Sequence, residues 1–281
     1  MSQTLRVGHI GDIKAIIDRI SDSNPDILVE SVELACYDGP LSDAVIPDGV
    51  LDMVPEDALS SSEIDVFIGP MGGITMLSDD RFRLAAVTRR AGPSFIMTGG
   101  SPESIPEGAS VTVCHPVVER VLHDIRPDLD IQVVDGCDGL LETVRSGGYV
   151  IMPGHMSDLI DVQSEQLDPS VFVPVAGQGA CGAVYRKEDD WVRKAVYCVN
   201  HQETRIAVSV ETGIMKLMGA IPISPVAVNA SMEFEAIKVR ALSYGYTDEP
   251  RRAEGYLPMD YVMDEVLSFA EYLVGKRDYL L

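Results

Sequence analysis

Residues 172–187 read FVPVAGQGACGAVYRK. An apolar run enters a Gly-rich turn at Gly177 to Gly179, and a second β-like run leaves it. Glycines inside such a run mark a sharp bend or a close backbone approach. We read the segment as the return crossing of a two-domain α/β protein, with strands expected on both sides of the turn. Two α/β units precede it and a smaller third one follows. The expected divisions are residues 1–90 together with 170–195, residues 91–169, and residues 196–281.

Upstream, Leu5 to Ile10 is a short apolar strand turned by Gly11 and Asp12. Ile13, Ile16, Ile17 and Ile20 then repeat at helical spacing, and Asp12 is placed to cap that helix. Ile64 to Ile68 is almost wholly apolar, as a parallel strand covered on both faces should be. It ends in GPMGGI, at the carboxyl edge where α/β sheets bind ligands. Arg83 to Val87 and Ser94 to Met97 read as further strands. Ser110 to Cys114, Val117 to Ile125, Ile131 to Val134, Gly139 to Arg145 and Tyr149 to Met152 alternate strand and helix. That order predicts a second small parallel sheet. Downstream, Arg205 to Lys216 starts β-like with IAVSV and turns helical. Ala227 to Arg240 reads as one or two antiparallel strands, and Tyr256 to Leu273 as an amphipathic helix.

The 281 residues carry 44 acidic and 22 basic side chains, a formal net charge of -22. Such a surface repels nucleic acid and anionic membranes, so neither is expected as a partner. A host with high internal salt would screen the self-repulsion. The start, MSQTLRVGHIG, has no basic region or long apolar core and runs straight into a strand. We therefore expect a cytoplasmic protein, a monomer or an oligomer of unspecified order. Cys36, Cys114, Cys137, Cys181 and Cys198 are scattered and form no CxxC pair, which argues against a disulfide framework or structural zinc.

Three stretches resemble one family, hydroxymethylbilane synthase, also called porphobilinogen deaminase. Val173 to Arg186, VPVAGQGACGAVYR, is similar to its second hinge strand. Asn200 to Thr204, NHQET, is similar to its NHxeT turn. Arg126 to Asp130, RPDLD, followed by Asp135-Gly136 and by Ser146 to Tyr149, is similar to its second-domain landmarks. The resemblance implies two domains like periplasmic binding protein halves with a cleft between them, and a small α+β third domain. It also implies a cysteine-linked dipyrromethane cofactor, a catalytic aspartate, and arginines and a lysine that hold the acetate and propionate groups of porphobilinogen.

Carried over position by position, the resemblance places other residues at those sites. The aspartate falls on Gly73 and the lysine on Gly72. The arginine of the first strand end falls on Ile10, both arginines before the second-domain helix on Val117 and Val118, and a further one on Asp135. The cofactor cysteine falls on Ala220 or Ile221 of LMGAIPIS. A cationic cleft needs donors that glycine and valine cannot supply. The expectation is a diverged, non-classical member that binds a small ligand in the interdomain cleft, or acts in tetrapyrrole metabolism without the standard chemistry. Its candidate ligand-binding residues are the strand-end positions His9, Gly11, Asp12, Gly72, Gly73, Cys114, His115, Asp135 and Cys137. No catalytic residue, cofactor or metal is assigned. Dipyrromethane enters only if the alternative holds, a functional synthase joining four porphobilinogen units with Cys181 or Cys137 as substitute anchor. The other alternative is a non-catalytic interaction or regulatory protein, in which the retained glycine hinge and turn keep the fold alone and His201 donates within its turn.

Overall fold

The structure, a computed structural model, describes residues 3–10, 12–34, 55–74, 80–134 and 136–280, without the side chains of 136 and 137. Gly11, Cys36, Asp135 and most of the 37–62 loop lie outside the described residues. By its contacts the chain divides into two compact units. One comprises residues 1–90 and 180–206, the other 91–179 and 207–281.

In the first unit, β1 (Gln3–His9) pairs in parallel with β2 (Ile27–Glu33) and β3 (Val66–Pro70). β4 (Phe82–Val87) lies at the other edge. Between β3 and β4 runs β10 (Cys181–Arg186), antiparallel to both, so the sheet order is β2-β1-β3-β10-β4. The return crossing is therefore a central strand. Ala183 faces Ile68 on one side and Ala86 on the other. Gly182 is needed there, because a Cβ would come within 2.5 Å of the Met71 sulfur. Helix α1 (Lys14–Ser23), the short α2 (Glu56–Ser60) and α3 (Met71–Ile74), and α6 (Asp190–Val196) complete the unit. Leu5, Val7, Ile20, Val66, Ile68, Ala183, Val192 and Val196 form its core.

In the second unit, β6 (Ser110–Val113) pairs in parallel with β7 (Asp130–Val133) and β8 (Tyr149–Pro153). β5 (Phe95–Thr98) runs antiparallel to β8 and to the edge strand β9 (Ser164–Gln166). The sheet, expected to be parallel, is thus mixed. Helices α4 (Pro116–Ile125) and α5 (Gly136–Arg145) belong to it. A third sheet is an antiparallel meander of β11 (Val226–Glu233), β12 (Ala236–Ser243) and β13 (Arg251–Pro258). α7 (Gln202–Met218) leads to it and α8 (Met263–Leu273) packs against it.

Several local expectations change. Phe172 to Val175 is not a strand. Pro174 lacks the N–H a ladder needs, the Phe172 N–H bonds back to the Asp168 carbonyl in a turn, and Phe172 and Val173 are buried as loop residues. Residues 205–216 do not begin as a strand but lie wholly within α7. Ala207, Val208, Val210, Ile214, Met215 and Met218 are buried, which fits helical spacing better than alternation. The C-terminal helix starts at Met263, because β13 continues to Pro258.

Candidate functional site

The second-unit candidates sit where β6 meets α4. His115 is the N-cap residue of α4, with extended backbone and Pro116 just inside the helix. Its Nδ1 accepts the Val117 N–H at 3.1 Å, and its Nε2 lies 2.7 Å from the Pro222 carbonyl oxygen, to which it donates. Both bonds fix the neutral tautomer with the proton on Nε2. Burial pushes its pKa down to about 4, while the carbonyl bond pulls the other way. A ligand could use this histidine as a base only by breaking the cap. Val117 and Val118, the next two helical residues but one, are 0% and 1% exposed and belong to the core. Cys114 is half-buried and packs against two clusters of that core.

Pro222 lies in the loop between α7 and β11. Ala220 there is fully buried, and its N–H closes on the Met215 carbonyl at 2.9 Å. Ile221 donates its N–H to the Ser224 hydroxyl at 2.9 Å. The loop is packed and self-bonded and carries no sulfur. Cys181, the other anchor considered, lies in β10, where burial raises its thiol pKa and so disfavours the nucleophilic thiolate. These residues do not fit a cysteine-linked dipyrromethane. The Cys137 side chain and Asp135 lie outside the described atoms.

The first-unit candidates behave similarly. His9 is buried at the end of β1 with Nε2 2.7 Å from the Ser31 hydroxyl of β2. Asp12 is exposed. Its Oδ1 accepts the Lys14 N–H at 2.9 Å, although Ile13 and not Asp12 is the N-cap residue. Gly72 and Gly73 lie in α3, entered through a Met71 N–H bond to the Ala180 carbonyl. His9, Asp12, Gly72 and Gly73 belong to one unit and Cys114 and His115 to the other. Among the described residues, no cluster of three His, Cys, Asp or Glu side chains could hold a metal ion.

The motif residues that drew attention in the sequence are anchors. Asn200 Oδ1 accepts the Val87 N–H at 3.1 Å, and the His201 N–H reaches the Val87 carbonyl at 2.7 Å. His201 does not donate within its turn as expected: Nδ1 accepts from the Thr204 N–H at 3.3 Å and faces its hydroxyl at 2.9 Å. Arg205 binds the Leu84 and Ala85 carbonyls. Arg186 binds Asp65, Asp189 and the Leu59 and Ile64 carbonyls. Arg126 pairs with Asp128 at 2.6 Å and holds that carboxyl down to about 2.

Sequence reasoning missed Glu211. This carboxylate on α7 is 0% exposed. Its Oε2 accepts the Gly177 N–H at 2.8 Å, and its Oε1 accepts the Ala230 N–H at 2.7 Å and the Asn229 Nδ2 at 3.3 Å. It therefore holds the GQG turn, where Gly177 and Gly179 have φ of 75° and 78°. A Cβ on Gly179 would meet the Ala91 carbonyl oxygen at 2.8 Å. An isolated acid on a helix reads as a solvent-facing residue, so only its apolar neighbours Val210, Ile214 and Met215 could have betrayed it.

Comparison with known proteins bears on the lineage. The chain is 28% identical over 205 residues to a porphobilinogen deaminase of Corynebacterium efficiens, covering 70% of this chain and 69% of the relative. It is 26% identical over 262 residues to that of Roseiflexus, covering 86% of each. A probable porphobilinogen deaminase of Methanopyrus kandleri is 25% identical over 248 residues, 82% of this chain and 83% of the relative. Relatives at 25–28% identity over 70–86% of the chain support a place in the porphobilinogen deaminase family. No family model matches it. Solved structures with some likeness include the lipoprotein Tp32 of Treponema pallidum, 13% identical with a TM-score of 0.48 over 77% of this chain and 96% of the other. Another is the alkanesulfonate-binding protein SsuA of Xanthomonas axonopodis, 11% identical with a TM-score of 0.41 over 78% and 80%. The likeness to porphobilinogen deaminases rests on the sequence relatives. Among the described residues no helix is long and apolar enough to cross a membrane.

Proposed function

We propose that this porphobilinogen deaminase relative is non-classical: it takes a small polar ligand at its strand ends, within tetrapyrrole metabolism, and does not polymerise porphobilinogen on a covalent cofactor. The observation that carries this reading is the start of α4. The resemblance puts two arginines at Val117 and Val118, and both valines are sealed in the core behind a histidine whose two ring nitrogens are already bonded. The buried Ala220 in the loop of the missing cysteine supports it. Gly72 and Gly73 add no charged group at the end of β3. A substrate bristling with carboxylates finds few fixed cations at these positions. A second reading, retained synthase activity, is favoured by likeness to porphobilinogen deaminases over 70–86% of the chain.

Intact-protein mass spectrometry, before and after addition of porphobilinogen, separates the two readings when substrate consumption is followed in the same tube at high and low salt. The expected result is an unmodified mass without consumption, on a sample shown to be folded by circular dichroism. An added dipyrromethane mass together with turnover would overturn the proposal.

A further inference from the structure

The first unit contains a basic cavity that none of the described strand-end candidates lines. Its volume is about 230 Å³, and it lies against α1, the residues just after β4, and the turn at 199–201. Its polar lining is Arg19, Thr88, Arg89, Asn200 and His201, and among the described residues no acidic side chain lines it. That is notable in a chain with twice as many acids as bases.

The hydrogen bonds already made leave donors over. Arg19 is steered by its Nε–H bond to the Cys198 carbonyl at 2.9 Å, which leaves the Nη groups of the fork. The Thr88 hydroxyl accepts the Cys181 N–H at 3.0 Å, so its own proton is available to donate. His201 accepts at Nδ1 from the Thr204 N–H, which puts the ring proton of the neutral form on Nε2. Arg89 is exposed. Fixed cations with convergent N–H and O–H donors are what an oxyanion requires. The cavity is smaller than the roughly 300–1,000 Å³ typical of drug-sized ligands.

We propose that this cavity binds one small oxyanion, a phosphate or a carboxylate arm, held by Arg89 and Arg19 and oriented by Thr88 and His201. The site goes beyond the functional reading above and stands whichever chemistry the chain performs. A polyanion is disfavoured by the overall charge, so the ligand is a small molecule and not a nucleic acid.

The test is a titration of the full-length ¹⁵N-labelled chain with inorganic phosphate and, separately, with succinate, at ionic strength held constant with KCl. The expected result is saturable shifts of the Thr88, Arg89, Asn200 and His201 amides with at least one of the two anions. Phosphate alone would identify a phosphate site, succinate alone a carboxylate site, and both a general oxyanion site. Arg89→Gln should weaken binding about tenfold and leave the rest of the spectrum in place, since the side chain is exposed. Arg19→Gln should do the same. If it disturbs the fold by losing the Cys198 bond, Arg89→Gln decides alone. Linear, unsaturating shifts, shifts centred elsewhere, or wild-type affinity in Arg89→Gln would overturn the proposal.

Discussion

Glu211→Gln changes one oxygen of a buried side chain and nothing in its shape. In the native chain both carboxylate oxygens accept, one from Gly177 and the other from Ala230 and Asn229. The amide can turn its oxygen toward only one side. With the oxygen toward Ala230 and Asn229, its NH₂ faces the Gly177 N–H, donor against donor, and no water replaces the lost bond at a 0% exposed residue. A hydrogen bond to a charged acceptor contributes roughly 1.5–3 kcal/mol, so the cost is about 2 kcal/mol. It falls first on the GQG turn. Hydrogen exchange at the Gly177 amide should therefore quicken by about 30-fold, the equivalent of that free energy. The Ala230 amide should change less. Glu211→Ala removes the bonds to Gly177, Ala230 and Asn229 and should cost on the order of 4 kcal/mol, seen as a lower urea midpoint by circular dichroism. Unchanged exchange at Gly177 in Glu211→Gln, with an unchanged midpoint, would refute the claim that the turn depends on this carboxylate.

Two further outcomes follow from bonds already described. His115 has a folded pKa of about 4 against an unfolded value near 6.5. Above pH 6.5 both states are neutral there and no stability depends on pH. As pH falls from 6.5 toward 4 the unfolded chain takes up the proton first, so stability is lost, by up to about 3 kcal/mol. His115→Asn keeps a capping side chain but does not titrate, so its urea midpoint should fall less than the wild type's between pH 7.5 and 4.5; equal falls would exclude His115 as the cause. Arg186→Met removes bonds to two carboxylates and two carbonyls at a side chain 12% exposed. It should cost the first unit about 3 kcal/mol. The fluorescence of Trp191, the single tryptophan and part of that unit's core margin, reads the loss directly, and an unchanged transition would contradict it.

The first sheet was legible because β3 is a nearly continuous apolar run ending in Gly-Pro, and because a Gly-rich bend leads into the return strand. The third sheet was legible only in part. β13 buries just Ala253 and Leu257 in eight residues, too thin an alternation to read against the helix that follows. IAVSV misled because it alternates like a strand while its neighbours also satisfy a helical face. The site was less legible than the fold. His115 looked like a strand-end ligand, yet a donor and an acceptor close to the chain occupy its ring. The basic cavity could not be seen in one stretch, since its residues come from positions 15–19, 88–89 and 199–201.

The motifs that announce this family in the sequence share one physical property. Asn200, His201 and Thr204 clamp the end of β4. Arg186 satisfies two backbone carbonyls, Arg126 and Asp128 bind one another, and Gly179 allows the Ala91 carbonyl to approach. Replacing any of them would leave polar groups of the main chain unpaired or force a clash, at a cost of about 1–3 kcal/mol per group. The described strand-end positions also serve the chain: His9 bonds Ser31, His115 caps α4 and bonds the Pro222 carbonyl, and Val117 and Val118 lie in the core. Gly73 is buried in α3 and Val117 packs in the core, so neither residue presents a charged group. The anchors therefore testify to packing and not to chemistry. The groups around Arg89, with donors to spare, are what the proposed oxyanion site rests on.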